Sequence, residues 1–213
     1  MRFSWLFLCL FPVSLAEPQY TILDSSMMDI DKDKNYELMV LYTITDTDDA
    51  TFGSPRELVF YKANNQGALI PWIRSKSAVL DANSGGIMGD PFMGMHFDND
   101  ILNISHFGGS QIKWSYTDKY RFQDGKLILI EHTSKSFDGG CHFKELTYNL
   151  NTGDAVYTQN KNLQSGFREC EKDNKISQVK GNFPRLQPIS IEDRKVFTPY
   201  EIMSQLEREL YKE

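Results

Sequence analysis

The densest run of chemically capable side chains is Asp29-Ile30-Asp31-Lys32-Asp33-Lys34-Asn35-Tyr36-Glu37-Leu38. Its carboxylates alternate along the chain, and one more follows the turn. Hard divalent cations are held by such oxygens. A compact loop wraps Asp29, Asp31, Asp33 and Glu37 around Ca²⁺, with the Asn35 carbonyl as a further ligand. The competing reading is a solvated acidic turn that Lys32 and Lys34 partly neutralise.

The remaining chemistry is more dispersed. Gly85-Gly86-Ile87-Met88-Gly89-Asp90-Pro91-Phe92 and His106-Phe107-Gly108-Gly109-Ser110 are both glycine-rich. A phosphate cradle needs backbone N–H groups converging at a helix start, whereas both stretches lead toward strands. They are expected instead to let backbones turn or approach closely. His96, His106, His132 and His142 lie on or near expected strands, and without a helical His-Glu-x-x-His spacing they read as ordinary partly buried or surface histidines. Ser110 lacks the Gly-x-Ser-x-Gly setting of a hydrolase nucleophile. An enzyme would have to assemble a polar cluster in space from His106, His132 and Asp90 or Asp118.

Met1 to Ala16 carries Arg2, an apolar run from Trp5 to Phe11, and Ser14-Leu15-Ala16, the small-x-small pattern that signal peptidase reads. Residues 1–16 are therefore expected to be a cleaved signal peptide, since the apolar run is too short to span a bilayer as a helix. Removing them from 213 residues leaves 197, enough for a single domain with a full core. Only Cys141 and Cys170 then remain of the three cysteines. In an exported chain that pair implies a disulfide, closing a loop of about 30 residues and contributing roughly 3 kcal/mol. Two unpaired buried thiols or half of a metal site are the alternatives.

The elements that must position these groups are mostly strands. In Trp114-Ser115-Tyr116-Thr117-Asp118-Lys119-Tyr120-Arg121-Phe122 the aromatic residues share one face. Asp118 falls on that face, as a satisfied buried carboxylate, a bulge or, the preferred expectation, a strand end. Asp124-Gly125 turns the chain into Leu127–Ile130, and Asn151-Thr152-Gly153 joins Leu146–Leu150 to Ala155–Tyr157, giving an antiparallel meander. Leu38–Tyr42, Leu58–Tyr61, Leu69–Ile73 and Ile101–Ile104 are further strands, with Pro71 marking an edge or a strand end. Residues 159–188 are polar and read as a long connection tethered by Cys170. An amphipathic helix over about 199–212 follows, capped by Thr198 and Glu201 and striped by Ile202, Met203, Leu206 and Leu210. The expected fold is mainly β: one antiparallel sandwich or open barrel over 17–213 with a C-terminal helix.

The acidic spacing resembles calcium loops of integrin-type propeller repeats and, less closely, EF-hands, from which it departs at Lys34, where the turn favours Gly, and at Val40, where an EF-hand places its bidentate Glu. The acidic loop, Gly85–Phe92, and Ile104–Ser110 followed by Trp114 and Tyr120-Arg121-Phe122 together resemble an uncharacterised family of exported bacterial proteins, over roughly residues 27 to 133. That resemblance implies an exported, β-rich protein and carries no activity.

Composition narrows the roles. With 40% hydrophobic and 24% charged residues the chain is neither disordered nor a multi-span membrane protein. Its formal charge of −6, or −7 once Arg2 is lost, opposes nucleic acid and anionic membrane surfaces. The expectation is a periplasmic or secreted, non-catalytic binding protein. An inhibitor or immunity protein suits it best, occupying the basic cleft of a secreted toxin or hydrolase. A calcium-stabilised structural or adhesion module, and then a hydrolase, are the alternatives.

Overall fold

The computed structural model describes residues 19–45, 53–138, 143–160 and 176–210. The expected signal peptide, Cys141, Cys170 and His142 lie outside the described residues. Runs of β-branched and aromatic residues punctuated by Gly and Asx turns build two antiparallel sheets. The first holds β1 (Gln19–Met28), β2 (Glu37–Thr45), β3 (Arg56–Ala63) and β4 (Leu69–Ser75) in that order. Pro71 sits in β4, an edge strand, where a missing N–H costs least.

The second sheet is an unbroken meander. It comprises β5 (Phe92–Asp98), β6 (Ile101–Gly109), β7 (Ile112–Gln123), β8 (Lys126–Asp138), β9 (Phe143–Asn149), β10 (Asp154–Asn160) and β11 (Ile176–Asn182), ordered from β11 to β5. Asp124 and Gly125 both have positive φ, +48° and +80°, as a two-residue hairpin turn between β7 and β8 requires. A 3-10 segment, Ile191–Val196, and the helix α1, Tyr200–Leu210, follow.

The sheets pack face to face as a sandwich-like, mainly β fold with one short C-terminal helix, and the described residues close no barrel. Met39, Leu41, Leu58 and Phe60 of the first sheet share one core with Leu102, Ile104, Tyr120, Leu127 and Leu129 of the second. Trp72 meets Phe122 across the gap with ring centroids 5.1 Å apart. Toward β9–β11 the second sheet is covered instead by Ile191, Phe197 and the α1 residues Ile202 and Leu206. Gly181 of β11 makes that approach possible, because a Cβ there would lie 2.8 Å from Leu206.

One expectation needs correction. The stretch 159–188 is not simply a connection: β10 runs to Asn160 and β11 pairs with it from Ile176 to Asn182. Its alternating burial is that of a half-exposed edge strand, whose polar composition hides the period. The helix begins at Tyr200 and is described to Leu210, inside the expected 199–212.

Candidate functional site

Asp118 does not end a strand. It lies in the middle of β7, fully buried, directly opposite His132 of β8. Residues so placed in an antiparallel pair have side chains within reach of each other. His132 Nδ1 and Asp118 Oδ1 are 2.7 Å apart. Arg194, from the 3-10 segment, binds the same carboxylate through Nε, and through Nη2 at 3.3 Å, while its Nη1 donates to the Phe197 carbonyl at 3.1 Å. Burial pushes the Asp118 carboxyl up, but the His132 hydrogen bond and the Arg194 charge outweigh it and hold the group below the ordinary aspartate value.

Rings fix this trio. Tyr116, one position along the same face of β7, tilts against His132 at 5.7 Å and stacks on His106 of β6 at 4.6 Å. Phe197 meets His132 edge-on at 5.2 Å, and Arg194 lies 5.5 Å from the Tyr116 ring and 5.3 Å from Phe197. His106 accepts the Leu80 N–H at Nε2, 3.2 Å, and burial lowers its pKa to about 4.

Beside the trio the inward face changes character. Opposite Tyr116 and Trp114 stand Ser134 and Ser136 of β8, followed across the sheet by Leu146 and Lys144 of β9. Two serines in a row of large residues leave space. An open cavity of about 500 Å³ results, floored by these strands and walled by Leu80, Arg194, Pro199, Tyr200 and Met203. Its size is that of a small-molecule or side-chain pocket. His132 is 2% exposed and lines the cavity, and neither its Nε2 nor the buried Ser134 Oγ has a hydrogen-bond partner. The cations around the space are committed: Arg194 to Asp118, Lys144 to Glu207 at 2.7 Å and Lys135 to Glu145 at 3.1 Å.

The glycine-rich stretches support one wall. Gly109 N–H donates to the Gly85 carbonyl at 2.8 Å. A Cβ on Gly108 would lie 2.6 Å from the Trp114 ring and 2.8 Å from Gly85 Cα, so close approach, as expected, is what those glycines permit.

The acidic loop forms a separate cluster. Oxygens of Asp29, Asp31 and Glu37 lie within 4.8 Å of one another, which suits a hard cation. Much of their capacity is spent internally. Glu37, fully buried, accepts the Ile30 N–H at 2.8 Å, Asp29 accepts Lys34 N–H at 3.1 Å, and Asp33 accepts Asn35 N–H at 2.8 Å. Asn35 enters this network through its N–H. Lys62 reaches in from β3 to bind Asp31 and, at 2.7 Å, Asp33, with Glu37 3.7 Å away. Its ammonium hydrogen bond is the main cause holding Asp33 below the usual carboxylate range, while burial raises Glu37. Lys32 turns outward to Asp100 at 2.5 Å.

Of the residues named for a spatial cluster, His132 and Asp118 bond directly and His106 joins them through Tyr116. Asp90 stands apart, paired with buried Arg56 at 2.5 Å. The expectation of ordinary surface or partly buried histidines fails for His106 and His132, both buried in this network. Sequence reading missed Arg194 and Ser134: Arg194 sits in a segment without periodicity, and Ser134 lies beyond the apolar run that marked β8. No family model, curated protein or solved structure matches the chain. Among the described residues no helix is long and apolar enough to cross a membrane.

Proposed function

We propose that this protein is a non-catalytic binding protein exported to the bacterial periplasm or beyond. In this role it acts as an inhibitor or immunity protein that takes a compact group of a secreted toxin or hydrolase into the cavity over β7–β9. The observation that carries this is the cavity itself, with two buried polar atoms, His132 Nε2 and Ser134 Oγ, left without partners in an otherwise largely apolar lining. Buried polar atoms are almost always satisfied, and this orphan pair lies beneath the surface of the pocket lining. Arg194 grips both oxygens of Asp118. A carboxylate locked by a structural cation fixes the His132 ring in place. The excess of acidic residues speeds encounter with a basic partner.

Immobilised wild type and Ser134→Trp, exposed to periplasmic extract, test the role. A protein retained by the wild type and lost with the cavity filled is the expected result; identical retention by both contradicts it.

A second role, as a calcium-stabilised structural or adhesion module, is favoured by the Asp29, Asp31 and Glu37 oxygens. An ion there would have to displace Lys62 from Asp31. Bound at a hundred times its dissociation constant it would add about 2.7 kcal/mol, several degrees in Tm. An unchanged unfolding midpoint in millimolar Ca²⁺ at matched ionic strength leaves the loop's charge to Lys62 alone.

A further inference from the structure

The outer face of the first sheet is apolar, where an antiparallel sheet that faces water is ordinarily polar. In β2 and β3, Met39, Leu41, Leu58 and Phe60 enter the core. Leu38, Val40 and Tyr42 of β2, with Val59 and Tyr61 of β3, alternate with them and point the other way. The edge strand β1 follows the same preference. Tyr20 and Ile22 lie on the outer face, opposite Ile44 and Tyr42, and Thr21 lies on the inner one. The register then shifts at Leu23, so that Met27 joins Tyr20 and Ile22 outside while Asp24 and Ser26 turn inward. A strand whose apolar residues all face one way is patterned for burial on that side. Yet Tyr20, Ile22 and Met27 are 49%, 60% and 65% exposed. Contiguous apolar exposure of this kind marks an interaction surface.

Charge and size identify the occupant. Among the described residues that register places on this face, only Glu57 and Arg74 are charged, and they pair with each other at 3.1 Å. The whole chain carries −6, so two copies meet at least electrostatic cost across such a neutral face. The same neutrality gives the face nothing with which to steer a charged partner. An apolar, charge-depleted patch containing Tyr and Met has the composition of an interface between identical subunits. The Tyr42 and Tyr61 hydroxyls hydrogen-bond each other at 2.9 Å, which lowers the cost of burying both rings. The four strands run seven to ten residues. At about 4.8 Å spacing they present about 500 Å² per copy, so that two copies bury about 1,000 Å², the size at which specific interfaces begin.

We propose that the outer face of the first sheet packs against the same face of a second copy of this chain, forming a two-fold symmetric dimer. The contact is independent of the cavity over β7–β9. Sedimentation velocity from low to high micromolar concentration tests it. The wild type is expected to dimerise across that range. Ile22→Lys and Met27→Lys each set a cation within the contact, at side chains exposed enough in the single chain for the fold to tolerate it. Each should raise the dimer dissociation constant about tenfold or more, and the double variant should be monomeric with an unchanged far-ultraviolet circular dichroism spectrum. Ile87→Lys, at a side chain 78% exposed in the 3-10 segment Gly86–Met88 outside the first sheet, should leave the dimer intact. A wild type that stays monomeric throughout overturns the proposal, and binding of that monomer to neutral phosphatidylcholine vesicles would give the face to a lipid surface instead. A dimer that survives both first-sheet substitutions, or that Ile87→Lys weakens equally, overturns it as well.

Discussion

His106 is the residue whose chemistry is most directly measurable. Buried at 1% exposure and stacked on Tyr116, it resists protonation down to about pH 4, against an ordinary value of 6.5. Between those values the unfolded chain binds the proton and the folded chain does not, so stability falls as pH drops from 6.5. By pH 4 the loss from this residue reaches about 3 kcal/mol. His106→Gln, which keeps an acceptor for the Leu80 N–H, should flatten that part of a urea-midpoint profile relative to wild type; parallel profiles would remove His106 as the cause. Asp118 acts in a different window, because a carboxyl held below its ordinary value of 3.8 gives up its contribution only at still lower pH.

At the scale of elements, Asp118 ties β7 and β8 to the 3-10 segment that precedes α1. Removing the carboxylate strands the half-buried Arg194 guanidinium and the His132 N–H together. Asp118→Ala is expected to cost about 3–5 kcal/mol, whereas Lys135→Ala, which breaks an exposed pair with Glu145, should cost under about 1 kcal/mol. Chemical denaturation of the two variants decides, and equal losses would mean the buried trio is no more than a surface contact. The trio was only half legible in the sequence, for a geometric reason. Counting outward from the Asp124-Gly125 turn sets Asp118 opposite Glu131. An extra residue in β8, accommodated where Lys119 faces Glu131 and Tyr120 faces Leu129, moves Asp118 opposite His132. Strands with apolar runs and a hairpin turn were plain. β1, β5 and β11 were not: they are edge strands of largely exposed composition, and β1 and β5 also carry register shifts that break the alternation. Of the acidic loop, the Asp29, Asp31 and Glu37 oxygens come together, without Asp33 or the Asn35 carbonyl, and the cation among the carboxylates, Lys62, arrives from β3 through tertiary packing, which spacing along the chain does not encode.

For the whole molecule, one long sheet serves two purposes. At one end its inner face packs against the first sheet to make the core; at the other it meets the C-terminal segment, and the serines of β8 keep that contact from closing. On the proposed function, a partner protein inserts a group into this gap. Hydrogen exchange on the complex with the captured partner tests it most directly. Slowed exchange is expected, concentrated in residues 132–136, 144–146 and 199–203, the cavity floor and rim. Protection confined to β1 or to the acidic loop at 29–37, with the cavity strands unchanged, would contradict it.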